Sequence, residues 1–382
     1  MAGMFFFFIT FLFLYGGLHF YFFLKIRALA PDSPWLGLVA LGLCLGLFAP
    51  FLLRAAERYG LEALAAFLSW VGYLWMAVLF LFCVAALLTD LYRFSLWLAG
   101  AAFRVELLAL APSAWMRFCL PLVVALAATA YGSYEACRVR VERLQIHSAK
   151  IPREAGPIRI VQISDVHVGV LVKGARLTAL LREVHRAEPD LLVSTGDLVD
   201  GQLDSMAEAA AQFAAIRPRL GKYAVTGNHE YYAGLDEALA FTKAAGFTLL
   251  RGEAATVAGV IELVGVDDPT IRALNASTPL ATEQEAISRA AAGRFTILLK
   301  HQPHAKEDLL AGFDLQLSGH THRGQIFPFS LATRLAFPYH SGSYQLPNGA
   351  LLHVNRGTGT WGPPVRFLAP PEITVIELLA SP

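Results

Sequence analysis

Charge is what this sequence is short of. Only 16% of its 382 residues are Asp, Glu, Lys or Arg, against 55% that are hydrophobic, where an ordinary globular chain carries roughly a quarter charged residues. Part of the chain is therefore expected to face lipid. Cysteine is scarcer still, with Cys44, Cys83, Cys119 and Cys137 the full set. All four lie in or beside the apolar half, where a thiol commonly behaves as a small buried hydrophobe. The polar half has none, which excludes a disulfide framework and a thiolate zinc site there and leaves no redox clue to its compartment. No charge of either sign dominates, the net being +1. No basic stripe with interleaved aromatics occurs, so nucleic acid is not an expected partner.

What charge there is falls unevenly. Residues 1–150 hold 11 of the 31 Lys/Arg and 7 of the 30 Asp/Glu, while residues 151–382 hold 9 of the 11 His. Two halves in two solvents follow: a transmembrane helical domain over 1–136 and a second domain over 137–382. In the first, residues 4–24, 35–53, 63–89 and 118–134 are expected to span a bilayer, whose hydrocarbon core of about 30 Å takes roughly 20 helical residues. The last contains Pro121, which membrane helices tolerate. Residues 94–116, interrupted by Arg104, Glu106 and Pro112, read as an interfacial helix. His19 reads as a tolerated polar residue within the first span. Four spans place both chain ends on one side, together with Arg54, Arg58, Arg138, Arg140, Arg143, Lys150 and Arg153. Lys25, Arg27, Arg93, Arg104 and Arg117 fall on the other side, so the positive-inside rule favours a cytoplasmic second domain.

That second domain alternates short β-branched runs with helical patterns. Strands are expected at 158–164, 191–195, 222–226, 260–265, 295–300, 314–318, 350–354 and 373–378, with a further alternating stretch at 138–146. Helices are expected at 174–187, near 205–216 and at 234–245. Alternation of this kind argues for a layered α/β domain. The later strands lack intervening helices, so a mixed sheet is expected.

The informative residues sit just past these strands. Asp165 and His167 follow the first in SDVHVG, Asp197 the second in TGDLVDG, and Asn228 and His229 the third in TGNHEYY. His301 ends TILLK, and His320 and His322 follow QLS in SGHTHRGQ. Strand C-terminal ends share one edge of an α/β sheet, where ligand crevices form, so five clusters distant in sequence become one site. Carboxylate oxygen and imidazole nitrogen without sulfur suit Mn²⁺, Fe, Zn²⁺ or Mg²⁺. Asp165, His167, Asp197, Asn228, His301, His320 and His322 are too many ligands for one ion, whereas two ions sharing a carboxylate use them all. Any one cluster alone would read equally well as a turn satisfying its own backbone.

SDVH, GDLVDG, GNHE and SGHTHRGQ, in that order and with an isolated His301 before the last, resemble the calcineurin-like metallophosphoesterase superfamily, specifically its transmembrane bacterial branch. The resemblance covers about residues 155–382. It implies a mixed β-sandwich flanked by helices. It also implies one metal on Asp165, His167 and His322, a second on Asn228, His301 and His320, and Asp197 bridging them. A bridging hydroxide would attack phosphorus, and His229 would protonate the leaving oxygen or stabilise the transition state. Arg323, which abuts the metal motif, and His304 are candidates for substrate binding. Arg356 and Arg366 read more readily as ion pairs, His185 as structural, and His340 and His353 as loop and strand residues.

The expected function is thus hydrolysis of a phosphate mono- or diester or a pyrophosphate. The membrane half points to a lipid-linked or nucleotide-linked substrate, and relatives acting on UDP-2,3-diacylglucosamine point the same way. The soluble enzymes of that activity typically carry Arg where this chain has His229, which leaves the pyrophosphate assignment open. The alternative is a membrane-tethered, metal-stabilised scaffold or sensor without catalysis.

Overall fold

The computed structural model describes residues 2–201, 206–274, 280–306 and 312–382, the side chains of 2–8 and 273–274 excepted. Two units emerge from its internal contacts. One comprises Met1–Ser133 with Gly362–Val365, and the other Tyr134–Trp361 with Arg366–Pro382.

The first unit holds four helices: α1 (Ala2–Arg27), α2 (Leu36–Arg58), α3 (Glu62–Phe103) and α4 (Met116–Ala136). Each contains a stretch of 19 to 42 residues that is long and apolar enough to cross a membrane. Their outward side chains, such as Phe13, Leu41, Phe67 and Val123, are exposed large hydrophobics, the reverse of the pattern that water selects. The interfacial helix expected at 94–116 does not form as such. Its first ten residues instead extend α3 to 42 residues, about 63 Å at 1.5 Å per residue, roughly twice the hydrocarbon thickness. Only Leu108–Leu110 forms a further short 3₁₀ turn there. Several polar side chains inside this unit pair with one another. Asp90 accepts from Tyr21 Oη at 2.6 Å and from Lys25 Nζ at 2.5 Å. The Trp75 indole donates to His19 Nε2 at 3.0 Å.

The second unit is built on twelve described strands: β1 (Arg140–Ser148), β2 (Ile158–Ile163), β3 (Leu191–Ser194), β4 (Lys222–Ala224), β5 (Thr248–Leu249), β6 (Glu253–Val257), β7 (Ile261–Gly265), β8 (Phe295–Leu299), β9 (Leu315–Ser318), β10 (Gly342–Gln345), β11 (Leu351–Val354) and β12 (Glu372–Ala380). They form two six-stranded sheets, ordered β1-β12-β2-β3-β4-β5 and β10-β11-β9-β8-β7-β6. Both sheets are mixed. β2 to β5 run parallel and β12 pairs antiparallel with β2. In the second sheet β7, β8, β9 and β11 run parallel between antiparallel β6 and β10.

Side chains alternate across a strand, and here both sets are buried, which is why the strands read as unbroken apolar runs. Ile160, Leu191, Val193 and Ile376 of the first sheet meet Leu263, Ile297, Leu299 and Leu317 of the second in one core. On the opposite face Val161, Ile163, Leu192 and Val375 pack against α5 (Gly174–Arg186), α6 (Ala207–Ala214) and α8 (Leu235–Ala244) through Leu177, Leu181, Phe213 and Phe241. Residue 205, where the α6 pattern was expected to start, lies outside the described residues. The remaining helices are α7 (Asn228–Ala233), α9 (Thr270–Leu274), α10 (Glu283–Ser288) and α11 (Phe329–Ala336). The sandwich therefore directs the C-terminal ends of β2, β3, β4, β8 and β9 to one edge.

Candidate metal centre

Each chemically informative residue leaves the end of one of those strands. β2 stops at Ile163, and Asp165 and His167 follow; β3 stops at Ser194, and Asp197 follows. Asn228 and His229 open α7 after β4, His301 lies two residues beyond β8, and His320 and His322 follow β9. The turns that deliver them are strained. Asp165, His167, Asp197, His320 and His322 all have positive φ, between 49° and 73°, a region uncommon for residues with a side chain, though Asp and His visit it more than most. Such conformations cost on the order of 1–3 kcal/mol each and concentrate at functional sites. Gly319 permits the tightest approach, since a Cβ there would lie 1.9 Å from Ser164 Oγ and 2.3 Å from Asp165 Oδ2.

The donor atoms converge. Asp165 Oδ1 lies 3.2 Å from His322 Nε2, which faces His167 Nε2 at 3.1 Å. Asp197 Oδ2 stands 3.2 Å from His301 Nε2 and 3.9 Å from His167 Nε2. His301 Nε2 is also 3.2 Å from Asn228 Oδ1 and 3.1 Å from His320 Nδ1. Three groups of potential ligands result: Asp165, His167 and His322; His167, Asp197 and His229; Asp197, His301 and His320. Asp197 and His167 each belong to two of them, and of the pair only the carboxylate, with two oxygens, suits sharing between two cations. Ring nitrogens pointed at one another beside a carboxylate form a poor hydrogen-bonding set and a good cation-binding one. The donor chemistry therefore fits divalent metal ions.

The electrostatics agree. Burial opposes ionisation of Asp165, but His322 and His301 outweigh it and hold its carboxyl below the usual range. Burial likewise opposes ionisation of Asp197, and His301 and His229 overcome it and hold its carboxyl well below the usual range. Burial pushes His167 down to about 3, aided by His229, and His320 down to about 4, aided by His301. It also lowers His322. These imidazoles are held neutral beside ionised carboxylates, the protonation that metal ligation demands. His301 goes the other way, because Asp197 and Asp165 overcome its burial. His229 is carried up to about 9, burial being outweighed by Asp197 and Asp200.

Groups beyond the expected ligands hold this arrangement. The His301 ring bonds to Thr195 O through Nδ1 at 2.8 Å, leaving Nε2 for the site; such partners fix tautomer and orientation. His229 Nδ1 contacts Asp200 Oδ1 at 3.0 Å. The Glu230 carboxylate accepts from the backbone N–H of Gly227 at 2.6 Å, Leu198 at 2.7 Å and Asp197 at 3.0 Å, tying the β3 loop to α7. Arg366 is fully buried. It donates to the carbonyls of Arg356 at 2.7 Å and His322 at 3.1 Å, so it staples the loop and does not face substrate. The Asp200, Glu230 and Arg366 roles escaped the sequence reading. Their signals were present in GDLVDG, GNHE and VRF, but nothing local reveals that Asp200 meets a side chain 29 residues away, or that Glu230 and Arg366 meet remote backbone.

The other candidates separate. Arg323 is half-buried in the 322–324 turn beside the centre. His304 is exposed, its ring 5.5 Å from that of Phe337, and it is absent from all three donor groups. Arg356 pairs with Glu142 at 2.5 Å and Glu372 at 2.7 Å. His353, on β11, lies 3.1 Å from Glu372, while the His340 carbonyl accepts from Thr321 Oγ1 at 2.6 Å.

The family model described as "Calcineurin-like phosphoesterase" matches residues 158–324. An uncharacterised metallophosphoesterase of Aquifex aeolicus is 37% identical over 258 residues, covering 67% of this chain and 98% of that protein. The chain belongs to the calcineurin-like phosphoesterase family. It is accordingly a metal-dependent phosphoesterase, and its four apolar helices make it a membrane protein. A Helicobacter pylori metallophosphoesterase is 34% identical over 296 residues, 75% of this chain and 78% of its own. A Bos taurus protein named "Transmembrane protein with metallophosphoesterase domain" is 31% identical over 353 residues, 88% of this chain and 78% of its own. That last match extends over most of the apolar half of this phosphoesterase as well as its sandwich.

Proposed function

We propose that this phosphoesterase is dinuclear and hydrolyses a phosphate ester or pyrophosphate of a lipid-linked or nucleotide-linked substrate, of which UDP-2,3-diacylglucosamine is one example. The observation that carries the reading is the placement of Asp197 in two of the three donor groups, which is what a carboxylate shared by two cations requires. Asp165, His167 and His322 would hold one ion, Asn228, His301 and His320 the other. Mn²⁺, Fe, Zn²⁺ and Mg²⁺ all suit the ligands. When bound, the pair would neutralise phosphate charge and lower the pKa of water.

The chain's own side chains do the rest. With Nδ1 against Asp200, His229 keeps Nε2 for the reaction, which suits it to deliver a proton to the departing oxygen. Arg323 offers a guanidinium fork matched to phosphate oxygens. The apolar helices support a substrate with a lipid portion.

Bis(p-nitrophenyl) phosphate with added Mn²⁺ tests the chemistry on the full chain in detergent. His229→Ala should lower kcat by about 10²–10⁴-fold while elemental analysis still finds two ions per chain. One ion at full activity, or an undiminished His229→Ala enzyme, defeats the assignment. Lipid and nucleotide-sugar mixtures incubated with the enzyme identify the substrate class.

The same reading includes four spans and a catalytic domain on the cytoplasmic side, supported by the seven basic residues flanking the spans there against five opposite. Protease added outside sealed right-side-out vesicles should leave the catalytic domain intact, and its digestion would reverse the orientation.

A further inference from the structure

Beyond α4, the exposed large hydrophobics among the described residues gather at one rim of the catalytic unit. From Arg138 to Pro382, the large hydrophobic side chains that lie exposed among the described residues are Tyr232, Trp361, Leu368 and four on or next to α11: Phe327, Phe329, Leu331 and Leu335. Leu335 is 90% exposed, and none of the eight residues of α11 is buried. Leu331 and Leu335 lie one turn apart and so share a helix face. Scattered single hydrophobics are ordinary on a protein surface, whereas their concentration at one rim marks an interaction site.

That rim is the rim of the metal centre. The His229 ring lies 5.4 Å from Tyr232 and 5.7 Å from Trp361. Phe327 N–H bonds to Phe367 O at 3.0 Å, which places Leu368 beside the same loop. α11 is held at both ends by the ligand loop. A Cβ on Gly324 would fall 2.4 Å from Ser330 Cα, and the Phe337 ring lies 5.0 Å from that of His320.

Charge selects the occupant. From Leu315 to Pro371 the chain has no Asp or Glu, while it carries Arg323 and, exposed on α11, Arg334. A short helix with an apolar face, one arginine and no acid, beside the further arginine of the 322–324 turn, has the composition that lies in the headgroup region of a membrane containing anionic lipid. The chain brings such a membrane with it. Three residues, 137–139, link α4 to β1, a tether that extends about 10 Å at most.

We propose that α11 and the adjoining Phe327, Trp361 and Leu368 form a docking surface for the anionic face of the protein's own bilayer, through which a lipid phosphoester reaches the metal centre. The docking stands on the exposure pattern and the acid-free, arginine-bearing composition of this rim, while the delivery of substrate rests on the lipid-linked reading above.

The test uses the full chain in phosphatidylglycerol-containing nanodiscs, with Cys44, Cys83, Cys119 and Cys137 changed to alanine. Spin labels are placed by Leu335→Cys and, as a control at an exposed position of α6, by Glu208→Cys. The oxygen-to-nickel accessibility ratio should be several-fold higher at the first than at the second. Equal, water-like ratios overturn the docking surface. A label shielded from both reagents also overturns it, and indicates a protein partner. Leu331→Asp with Leu335→Asp should reduce turnover of a lipid phosphoester in the same bilayer at least tenfold, with metal content and thermal unfolding reporting that the variant is folded. Undiminished turnover overturns delivery through this rim. A lipid-immersed label in a protein that hydrolyses no lipid phosphoester defeats the substrate reading and leaves the docking intact.

Discussion

Asp200 shows how a single residue acts through another. Its carboxylate lies 3.0 Å from His229 Nδ1, so the ring has one orientation and one nitrogen left for chemistry. An amide at 200 keeps the size but loses the charge that favours the imidazolium. Asp200→Asn should lower kcat by on the order of 10- to 100-fold, the usual cost of losing an orienting partner of an active-site imidazole. KM and metal content should stay near the parent values, because Asp200 is in none of the donor groups. Steady-state kinetics with elemental analysis check this; a rise in KM alone, or loss of metal, would assign Asp200 to substrate or ligand binding. The left-handed backbone of Asp165, His167, Asp197, His320 and His322 belongs to the same scale. The folded sandwich supports several local strains at once, and their coincidence with the donor atoms is independent evidence for where the chemistry lies.

At the scale of elements, Glu230 joins two of them. Three backbone N–H groups from the β3 loop and the start of α7 converge on one carboxylate that is 2% exposed. Glu230→Gln places an amide N–H against at least one of these donors. Leaving a buried donor unmatched costs about 1–3 kcal/mol, so thermal unfolding should move down measurably and metal should be held more weakly, since Asp197 sits in the loop so tied. An unchanged melting temperature would mean that the loop is fixed by other contacts. The strands that deliver the ligands were legible because both of their faces are buried and their apolar runs end abruptly at Asp, His and Asn. α11 was not, because its sequence FSLATRLA lies between Pro328 and Pro338, is short, and buries nothing. α3 was misjudged for a related reason. Hydropathy reports which solvent a residue prefers, and Asp90 ends the charge-free run at Thr89 without ending the helix, which continues to Phe103. Glu230 and Arg366 were opaque because the partners that matter, the N–H groups of Asp197 and Leu198 and the carbonyl of His322, are main-chain groups far away in the sequence, for which no side-chain pattern exists.

At the scale of the molecule, two units with separate interiors imply two cooperative transitions. The sandwich holds its own cores around Ile160 and Ile297 and around Phe213 and Leu177. The helices of the first unit pair among themselves through Leu53, Ala56 and Ala65 and through the Lys25–Asp90 pair. Only the sandwich carries the proposed metal ligands, and without cations Asp165 and Asp197 retain buried negative charge supported by neighbouring histidines, Ser164 and backbone N–H groups. A ligand that binds only the folded state stabilises it by RT ln(1 + [L]/Kd), about 2.7 kcal/mol at a hundredfold excess over Kd. Chelation of the detergent-solubilised protein should therefore lower the unfolding temperature of one transition and leave the other in place. Readded Mn²⁺ should restore the first. Calorimetry resolves the two, and near-ultraviolet circular dichroism assigns them, since five of the six tryptophans lie before residue 134 and only Trp361 lies after it. A chelator that shifted both transitions together, or neither, would mean that metal occupancy is not confined to the sandwich or does not contribute to its stability, and the separation of anchoring from catalysis would fail with it.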